Sequence, residues 1–239
     1  MSGSLEGRVA VVTGASRGIG RATAIELAQA GARVFAAARN RDRLEELQAQ
    51  VRKEGNDLQA VACDVSVEAE VERLFDAADR AGGATILVCS AGVLRKAPFE
   101  EISLVDWRAV LDVNLTGMFL CCRRAFQSMK PLGGGGIVTM SSLSGVYAVE
   151  KFPGLVAYNV SKYGVIGLTE GVAVEGRPYG ISAVCLSPGA VDTQMLRDAG
   201  NDLRPGLQPE HVAELILRLL ESPMRSFSGA NIPLFSNEP

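Results

Sequence analysis

A tyrosine and a lysine four residues apart, Tyr158 and Lys162, have the types and spacing needed for acid–base chemistry. Residues four apart in a helix lie on the same face, so this spacing places an ammonium group near a phenol. A free tyrosine has a pKa of about 10, and its use as a base at pH 7 requires that pKa to fall by about 3, which is ~4 kcal/mol. A cation about 5 Å away, at an effective dielectric constant of about 20, supplies roughly 3 kcal/mol. The pair therefore indicates a proton-transferring tyrosine that depends on its lysine.

A glycine-rich turn lies near the N-terminus, between an apolar run and a helix-like segment. Gly14, Gly18 and Gly20 permit a tight turn and a close approach of the backbone to a ligand. The helix that follows presents free N–H groups and the positive end of its dipole, which suit a pyrophosphate. The spacing is GxxxGxG rather than the GxGxxG of the general dinucleotide fingerprint. By itself this turn could equally be an ordinary connection between a strand and a helix.

Taken in order, the motifs resemble those of the short-chain dehydrogenase/reductase family over about residues 6–195. The run TGASRGIG at 13–20 is similar to the family's cofactor turn, and YNVSK at 158–162 matches its YxxxK motif. Ser142 stands upstream at the end of a predicted strand, Asn114 lies in the preceding helix, and Pro188-Gly189 follows a later strand. The resemblance, which extends to 3-oxoacyl-[acyl-carrier-protein] reductase-like members, implies a Rossmann-type fold, a nicotinamide cofactor and carbonyl/alcohol redox chemistry.

The resemblance also implies roles for four residues. Tyr158 would exchange a proton with the reacting oxygen, and Ser142 would hydrogen-bond the same atom. Lys162 would also bind the nicotinamide ribose, and Asn114 would hold a water that links Lys162 to solvent. Ser142 fits the family better than its neighbour Ser141, because Gly145 follows it at the usual spacing.

Four further segments are expected, by the same resemblance, to bind the cofactor. Their residues are Gly14, Ser16, Arg17, Gly18, Ile19 and Gly20; Asp64 and Val65; Ser90, Ala91 and Gly92; and Pro188, Gly189, Val191 and Thr193. Asp64 could instead be a helix cap. Where the family usually has Asn-Asn-Ala-Gly, this chain has CSAG at 89–92, which retains the small pair but puts the local hydrogen bonding of the sheet in question.

Charges at the end of the second predicted strand favour NADPH over NADH. Family members that prefer NAD are similar in having an acid there, which binds the ribose hydroxyls and would repel a 2′-phosphate. This chain instead has AAAR at 36–39. Arg39 can pair with a phosphate bidentately, and Arg17 in the glycine turn adds a second cation. The alternative is that both arginines are solvated surface residues.

The elements that must position these residues alternate along the chain. We predict strands at 8–13, 33–38, 58–62, 85–90, 136–140, 181–186 and 231–235. We predict helices at 18–30, 41–54, 67–81, 106–129, 157–177 and 209–220. Apolar strands separated by helices imply a parallel sheet covered on both faces, with ligands at the carboxyl ends of the strands. We therefore expect an α/β fold, a Rossmann-like three-layer αβα sandwich with a doubly wound sheet, with residues 1–239 forming a single domain.

Composition excludes several classes of partner. The chain has 24 basic and 27 acidic residues, and a phosphate-backbone binder normally has a basic excess, so nucleic acid is not expected. No apolar run reaches the roughly 18 residues of a membrane span, and residues 1–7 do not resemble a signal peptide. The five cysteines are odd in number and lack CxxC spacing, which indicates neither a disulfide framework nor a metal site. We expect a cytoplasmic protein that binds no membrane and no metal.

The substrate is expected to be a carbonyl compound with an apolar part. The segment before the catalytic tyrosine supplies a candidate apolar wall: Val146, Tyr147, Val149, Phe152 and Leu155. A small hydrophobic ketone and a 3-oxoacyl thioester both fit. Three basic residues could steer an acidic carrier or could simply be solvated: Arg123, Arg124 and Lys130.

Two other functions stay open from the sequence: a cofactor-binding regulatory protein without turnover, and a sugar-nucleotide epimerase or dehydratase. The family resemblance also implies a homo-oligomer, a tetramer or a dimer, assembled through the helices at 106–129 and 157–177. The first of these is apolar over more than one face, through Met118, Phe119, Leu120, Cys121, Cys122 and Phe126. The alternative is a helix buried within its own subunit.

Overall fold

The computed structural model describes residues 3–200 and 204–235 of the chain. A seven-stranded sheet lies at its centre, and all neighbouring strands are parallel in the order β3-β2-β1-β4-β5-β6-β7. The strands are β1 (Val9–Thr13), β2 (Arg33–Ala38), β3 (Leu58–Ala62), β4 (Ile86–Cys89), β5 (Gly135–Met140), β6 (Ile181–Pro188) and β7 (Asn231–Leu234). The strand order reverses between β1 and β4, which is where a ligand is expected in such a sheet.

Helices connect the strands. They are α1 (Gly18–Gln29), α2 (Arg41–Lys53), α3 (Glu68–Arg80), α4 (Leu104–Leu111), α5 (Gly117–Met129), α6 (Val156–Gly176), α7 (Gln194–Asp198) and α8 (Pro209–Glu221). A π-helical turn at Asp112–Thr116 joins α4 to α5, so the single helix predicted at 106–129 is interrupted. The five-residue helix α7 was not predicted, because one turn is too short to show a helical period.

The helices form two layers around the sheet, as the α/β prediction requires. One core cluster packs α1, α2 and α8 against one face, through residues such as Leu27, Leu44 and Ile216. The other packs α3, α5 and α6 against the opposite face, through residues such as Phe75, Met129 and Val165. Every residue of β1, β4 and β6 is buried, which explains why these strands are apolar without alternation. The predicted Rossmann-like α/β fold is confirmed.

Most of the apolar side chains of α5 pack inside the same chain. Met118, Leu120, Cys121 and Cys122 are buried, whereas Phe119 is 43% exposed. For these four residues the structure shows the alternative given above, burial within the chain, because they belong to the core cluster on the α3 and α6 side of the sheet. All five cysteines are buried and unpaired.

Two of the three basic residues in and after α5, Arg123 and Arg124, form ion pairs within the chain. Arg124 is bound by three carboxylates of α3, those of Glu72, Asp76 and Asp79. Arg123 pairs with Glu68 and Glu72, also on α3. The amine of Lys130 lies 4.1 Å from the centre of the Tyr179 ring. The two arginines therefore already have acidic partners within the chain, and the steering of an acidic carrier stays a prediction.

Neither a membrane span nor a metal cluster occurs in the part of the chain that the structure describes. None of its helices is long and apolar enough to cross a membrane. No group of three or more histidine, cysteine, aspartate or glutamate side chains among residues 3–200 and 204–235 could hold a metal ion.

Candidate active site

A cleft of about 970 Å³ opens at the carboxyl ends of β1, β2, β4, β5 and β6. It brings together the predicted site residues from all parts of the chain. Those lining it are Gly14, Ser16, Arg17, Gly18, Ile19, Arg39, Asp64, Val65, Ser90, Ala91, Gly92, Ser142, Tyr158, Lys162, Pro188, Gly189, Val191 and Thr193. Two predicted residues, Gly20 and Asn114, are not on its surface but support it from behind.

The glycine turn needs its glycines for backbone reasons. Gly14 has a φ of +69°, and a Cβ there would lie 2.7 Å from the backbone nitrogen of Ala91. A Cβ on Gly20 would lie 2.5 Å from the carbonyl oxygen of Gly14, so this glycine lets α1 start directly against the turn. Side chains would therefore fill the cradle or displace its walls.

The start of α1 suits a negatively charged ligand. Arg17 is the N-cap residue of α1 and makes no side-chain capping hydrogen bond, so its own side chain does not occupy the first free N–H groups of the helix. Free N–H groups at a helix N-terminus together with a glycine cradle fit the pyrophosphate of a dinucleotide. The residues present thus fit a nicotinamide cofactor, the group implied by the glycine turn.

Three arginines surround the end of the cleft near β2. Arg17 and Arg39 were predicted there, and Arg43 of α2 was missed. Arg39 lies 3.9 Å from the carboxylate of Asp64. Burial acts to raise the pKa of Asp64, but hydrogen bonds from Ser66 and the charge of Arg39 outweigh it and lower that pKa below its usual value. One anionic side chain thus faces three cations at this end.

At CSAG, residues 89–92, the chain departs from the family's usual sequence, and buried thiols and Asn114 make the local contacts there. Cys89 is buried next to Cys121 and Cys122, and hydrogen bonds with these thiols together with burial raise the pKa of Cys89 well above its usual value. The Asn114 amide nitrogen donates to the carbonyl of Val93 at 2.9 Å, and its oxygen accepts from the N–H of Val93 at 2.8 Å. The loop after β4 is therefore tied down without the usual asparagines.

Asn114 also contacts the catalytic helix. Its amide nitrogen donates to the Ser161 hydroxyl of α6 at 3.1 Å, so the amide group is occupied by protein partners. It lies in the π-helical turn, a local distortion that occurs frequently at functional sites. Its suggested role in holding a water beside Lys162 stays a prediction.

Three of the four predicted catalytic side chains, those of Ser142, Tyr158 and Lys162, meet where β5 ends against α6. Ser142 follows β5, and its hydroxyl oxygen accepts a hydrogen bond from the Ser144 N–H at 3.2 Å. Tyr158 and Lys162 are both buried on α6, and the lysine nitrogen lies 5.4 Å from the centre of the tyrosine ring. That nitrogen also donates to the carbonyl of Met140 at 2.8 Å, which holds it above the end of β5.

Ser141, the neighbour of Ser142, has a different position. It is buried, and its hydroxyl donates to the carbonyl oxygen of Lys162 at 2.8 Å. Gly145 packs directly against the same carbonyl group, since a Cβ there would lie 2.6 Å from it. Ser141 and Gly145 thus join the end of β5 to α6, and Ser142 is left facing Tyr158.

Burial dominates the electrostatics of the catalytic group. It raises the pKa of Tyr158, while a hydrogen bond with the Ser142 side chain acts in the opposite direction. Burial also lowers the pKa of Lys162 to about 8. Lys162 was expected to lower the pKa of Tyr158, but the shift in this structure is upward, and its main cause is the loss of solvent around the phenol. The site therefore contains a protonated phenol at neutral pH, which is the form that can act as an acid.

The remainder of the cleft is mostly apolar. Its apolar side chains include Leu94, Val149, Phe152, Leu155, Met195 and Leu196, and its polar and charged ones include Ser144, Glu150, Gln194 and Arg204. Val146 and Tyr147, predicted as part of the apolar wall, do not line the cleft, and Tyr147 is 87% exposed. Met195 and Leu196 were missed because they belong to the short helix α7.

Comparison with known proteins gives consistent matches. The family described as short chain dehydrogenase matches residues 8–204. D-threitol dehydrogenase of Mycolicibacterium smegmatis is 42% identical over 192 residues, which cover 80% of this chain and 73% of that protein. The 3-oxoacyl-[acyl-carrier-protein] reductase of Synechocystis is 34% identical over 234 residues, which cover 94% and 93%. The crystal structure of a short chain dehydrogenase from Burkholderia cenocepacia in complex with NADP is similar with a TM-score of 0.89 and 28% identity, over 98% of both chains.

Proposed function

Since the chain belongs to the short-chain dehydrogenase/reductase family and is an NAD(P)-dependent enzyme acting on CH–OH or C=O groups, we propose that it reduces a ketone or 3-oxoacyl carbonyl to an alcohol with NADPH, reversibly. The observation that carries the proposal is the buried Tyr158 hydroxyl, hydrogen-bonded to Ser142 and close to Lys162 on the wall of the cleft. A buried, protonated phenol is the acid that carbonyl reduction needs.

The proposed roles follow from the chemistry of each side chain. When bound, the reduced nicotinamide supplies the hydride that reaches the carbonyl carbon. Tyr158 donates its proton to the carbonyl oxygen, and Ser142 donates a hydrogen bond to the same oxygen. Ser142 is suited to this because its oxygen already accepts from Ser144, which leaves its own hydrogen for donation. The Lys162 ammonium stabilises the phenolate that remains until a proton returns from solvent.

The proposed substrate is an uncharged carbonyl compound with an apolar body. The support is the apolar lining described above, which contributes dispersion contacts but few hydrogen-bond partners. The two relatives named above act, by their names, on a polyol and on an acyl thioester. The choice between a free ketone and a 3-oxoacyl thioester therefore rests on experiment.

The purified protein should oxidise NADPH when a suitable carbonyl compound is supplied. Absorbance at the nicotinamide band, followed with a panel of ketones, 3-oxoacyl thioesters, quinones and sugars, measures this directly. Rates should be highest with apolar ketones or acyl thioesters. Turnover confined to sugars, or to none of the panel, would contradict the proposal.

NADPH is the proposed cofactor because the β2 end of the cleft has three arginines against one carboxylate. A 2′-phosphate can replace Asp64 as the partner of Arg39 and adds charge that Arg17 and Arg43 attract. We expect NADPH to bind at least about tenfold more tightly than NADH, or ~1.4 kcal/mol.

Substitution of Arg39 tests this preference. Arg39→Asp should narrow or reverse the gap between the two dissociation constants, and Arg43→Ala should narrow it less. Titration of cofactor fluorescence gives both constants. Arg33→Ala is the matched control, because Arg33 pairs with Asp57 and does not line the cleft. Equal affinities for NADPH and NADH in the unmodified protein would rule out the proposal.

Three organisational features are also proposed. The cofactor and substrate sites belong to a single domain, supported by one cleft that both share. The protein is a homo-oligomer, supported by exposed apolar side chains on α4, α5 and α6, of which α6 contacts the other two helices. Its location is the cytoplasm, supported by five unpaired thiols, which suit a reducing compartment.

A further inference from the structure

The 3₁₀ turn that follows Ser142 is held by Lys151, which lies at the end of the loop formed by residues 146–151. The Lys151 nitrogen donates to the carbonyl oxygen of Leu143 at 3.1 Å and to that of Val146 at 2.6 Å. These two carbonyls flank the single 3₁₀ turn at Leu143–Gly145, which begins directly after Ser142. Hydrogen bonds from an ammonium group are stronger than those between neutral partners, so one side chain holds both ends of this turn.

The loop that Lys151 closes is not in a relaxed conformation. Ala148, in the middle of it, has a φ of 59°, a left-handed conformation that side chains other than glycine rarely adopt. Such a conformation persists only where the surrounding structure holds it. The two hydrogen bonds of Lys151 provide that support at the end of the loop.

Lys151 also connects the loop to the catalytic helix. The Tyr163 hydroxyl of α6 donates to the same Val146 carbonyl at 3.2 Å. The Lys151 nitrogen lies 5.2 Å from the centre of the Tyr163 ring, a distance suited to a cation–π contact. The turn after Ser142, the loop and α6 are thus joined at one point.

The turn at Leu143–Gly145 orients the Ser142 hydroxyl through two hydrogen bonds. The hydroxyl oxygen accepts from the Ser144 N–H, and the Ser142 carbonyl accepts from the Gly145 N–H at 2.8 Å. Both donors belong to the turn that Lys151 holds. Lys151 does not line the cleft, and its ammonium is used by two carbonyls, so it has no direct route to the substrate.

We propose that Lys151 is a positioning residue, which clamps the turn at Leu143–Gly145 and so aims the Ser142 hydroxyl at the oxygen that Tyr158 protonates. The kinetic part of this proposal rests on the proposed carbonyl reduction. The hydrogen bonds of Lys151 occur in the protein without cofactor, so the clamp can be tested without any substrate.

The kinetic test compares three lysine variants. Lys151→Met removes the donors but retains most of the side chain's length, and should lower kcat for the best ketone by about tenfold through misplacement of Ser142. Lys151→Arg retains the charge and donors and should restore most of the rate. Lys130→Met is the matched control, because Lys130 also stacks on a tyrosine but lies outside the cleft; it should leave kcat unchanged.

A double-mutant cycle with Ser142→Ala separates positioning from general damage to the fold. If Lys151 acts through Ser142, then Lys151→Met should cost no more than about twofold in kcat once the serine hydroxyl is gone. An equal loss in both backgrounds would overturn the proposal. So would a Lys151→Met protein that melts earlier but reduces the ketone at the wild-type rate.

Hydrogen exchange tests the clamp independently of turnover. Backbone amides in peptides covering residues 143–152 should exchange faster in Lys151→Met than in the wild type or in Lys130→Met. Unchanged exchange in this segment would overturn the clamp. If the wild type reduced no carbonyl compound, the proposed function would fail, and the exchange comparison would still decide whether Lys151 holds the turn.

Discussion

At the scale of single residues, Tyr158 combines two properties that oppose each other in water. Burial raises its pKa and so retains its proton, while Ser142 and Lys162 lie where they can stabilise the phenolate once the proton has left. In the proposed reaction, Tyr158 is an acid before hydride transfer and a stabilised anion after it. On that proposal, carbonyl reduction is favoured at neutral pH and alcohol oxidation at higher pH.

Tyr158→Phe tests that role with little change in packing. It retains the ring and removes the proton, so kcat should fall by roughly 10² or more while NADPH still binds. Stopped-flow or steady-state kinetics and cofactor fluorescence measure the two effects separately. Tyr179→Phe, on the Lys130 side of the molecule, is the control and should behave as wild type. An unchanged rate in Tyr158→Phe would exclude this tyrosine as the acid.

The lowered pKa of Lys162 should make the free energy of unfolding depend on pH. Burial lowers its pKa from 10.5 to about 8, so between these pH values the unfolded chain retains a proton that the folded protein has released. The unfolding free energy due to Lys162 should therefore rise with pH across this window, by about 1.4 kcal/mol per pH unit.

Lys162→Met removes that titration. The difference in unfolding free energy, wild type minus variant, should become more positive from about pH 8 to about pH 10, in urea titrations without cofactor. The use of a difference cancels the opposite trend expected from a buried thiol with a raised pKa on which Lys162 does not act, such as Cys63. Parallel pH profiles for the two proteins would show that the lysine is not depressed in this way.

At the scale of elements, the site depends on how closely β5 and α6 approach. Gly145 has no room for a Cβ, which would meet the backbone of Lys162 at 2.6 Å, and the Ser141 hydroxyl bonds the same carbonyl. The helix that carries Tyr158 is therefore held against the strand that leads to Ser142 by backbone contact. A shift here moves the acid relative to its serine.

Gly145→Ala should displace α6 and lower kcat by about 10². It should also destabilise the fold by about 1–3 kcal/mol, as overpacking does. Ser141→Ala removes one hydrogen bond without adding an atom, so it should cost only about 1 kcal/mol and less activity. Gly55→Ala is a control for lost stability alone, because its φ of +84° disfavours alanine but no atom lies near it. If Gly55→Ala lost as much activity as Gly145→Ala, the effect would come from stability.

At the scale of the whole molecule, three neighbouring helices have large apolar side chains that are exposed to solvent. They lie on α4, α5 and α6: Leu104, Val105, Phe119, Val160, Tyr163 and Val174. Val105 is 77% exposed and Val174 is 67% exposed. Where exposed apolar side chains form one contiguous patch, they generally mark a protein interface.

We expect the protein to sediment as a homo-oligomer and the variants Val105→Glu and Val174→Glu to shift it toward a single chain. A carboxylate in an apolar interface is costly because it loses its hydration without gaining a partner. Leu132→Glu, which follows α5 and is 47% exposed, is the control and should leave the assembly intact. A wild-type protein that sediments with the mass of one chain at micromolar concentration would contradict this expectation.

Local signals in the sequence were enough for the order of strands and helices. The predicted bounds of β2 and β3 are those of the structure. A short apolar run between polar residues can be recognised from neighbouring positions in the sequence alone. The glycine turn and the Tyr158–Lys162 pair were found for the same reason. The interruption of α4 and α5 at Asp112–Thr116 was not found, since a π-helical turn leaves the apolar spacing almost unchanged.

Other properties depended on packing between distant segments, and only the tertiary structure decided them. Arg43 and Met195 face the cleft because α2 and α7 begin beside it, and no local pattern indicates this. Arg124 is neutralised by α3, which lies more than forty residues earlier in the chain. The direction of the pKa shift of Tyr158 likewise follows from burial, and burial is the sum of everything that packs around the phenol. The sequence determined which groups are available for proton transfer, whereas their charge state and their alignment depend on solvent exclusion by the complete fold.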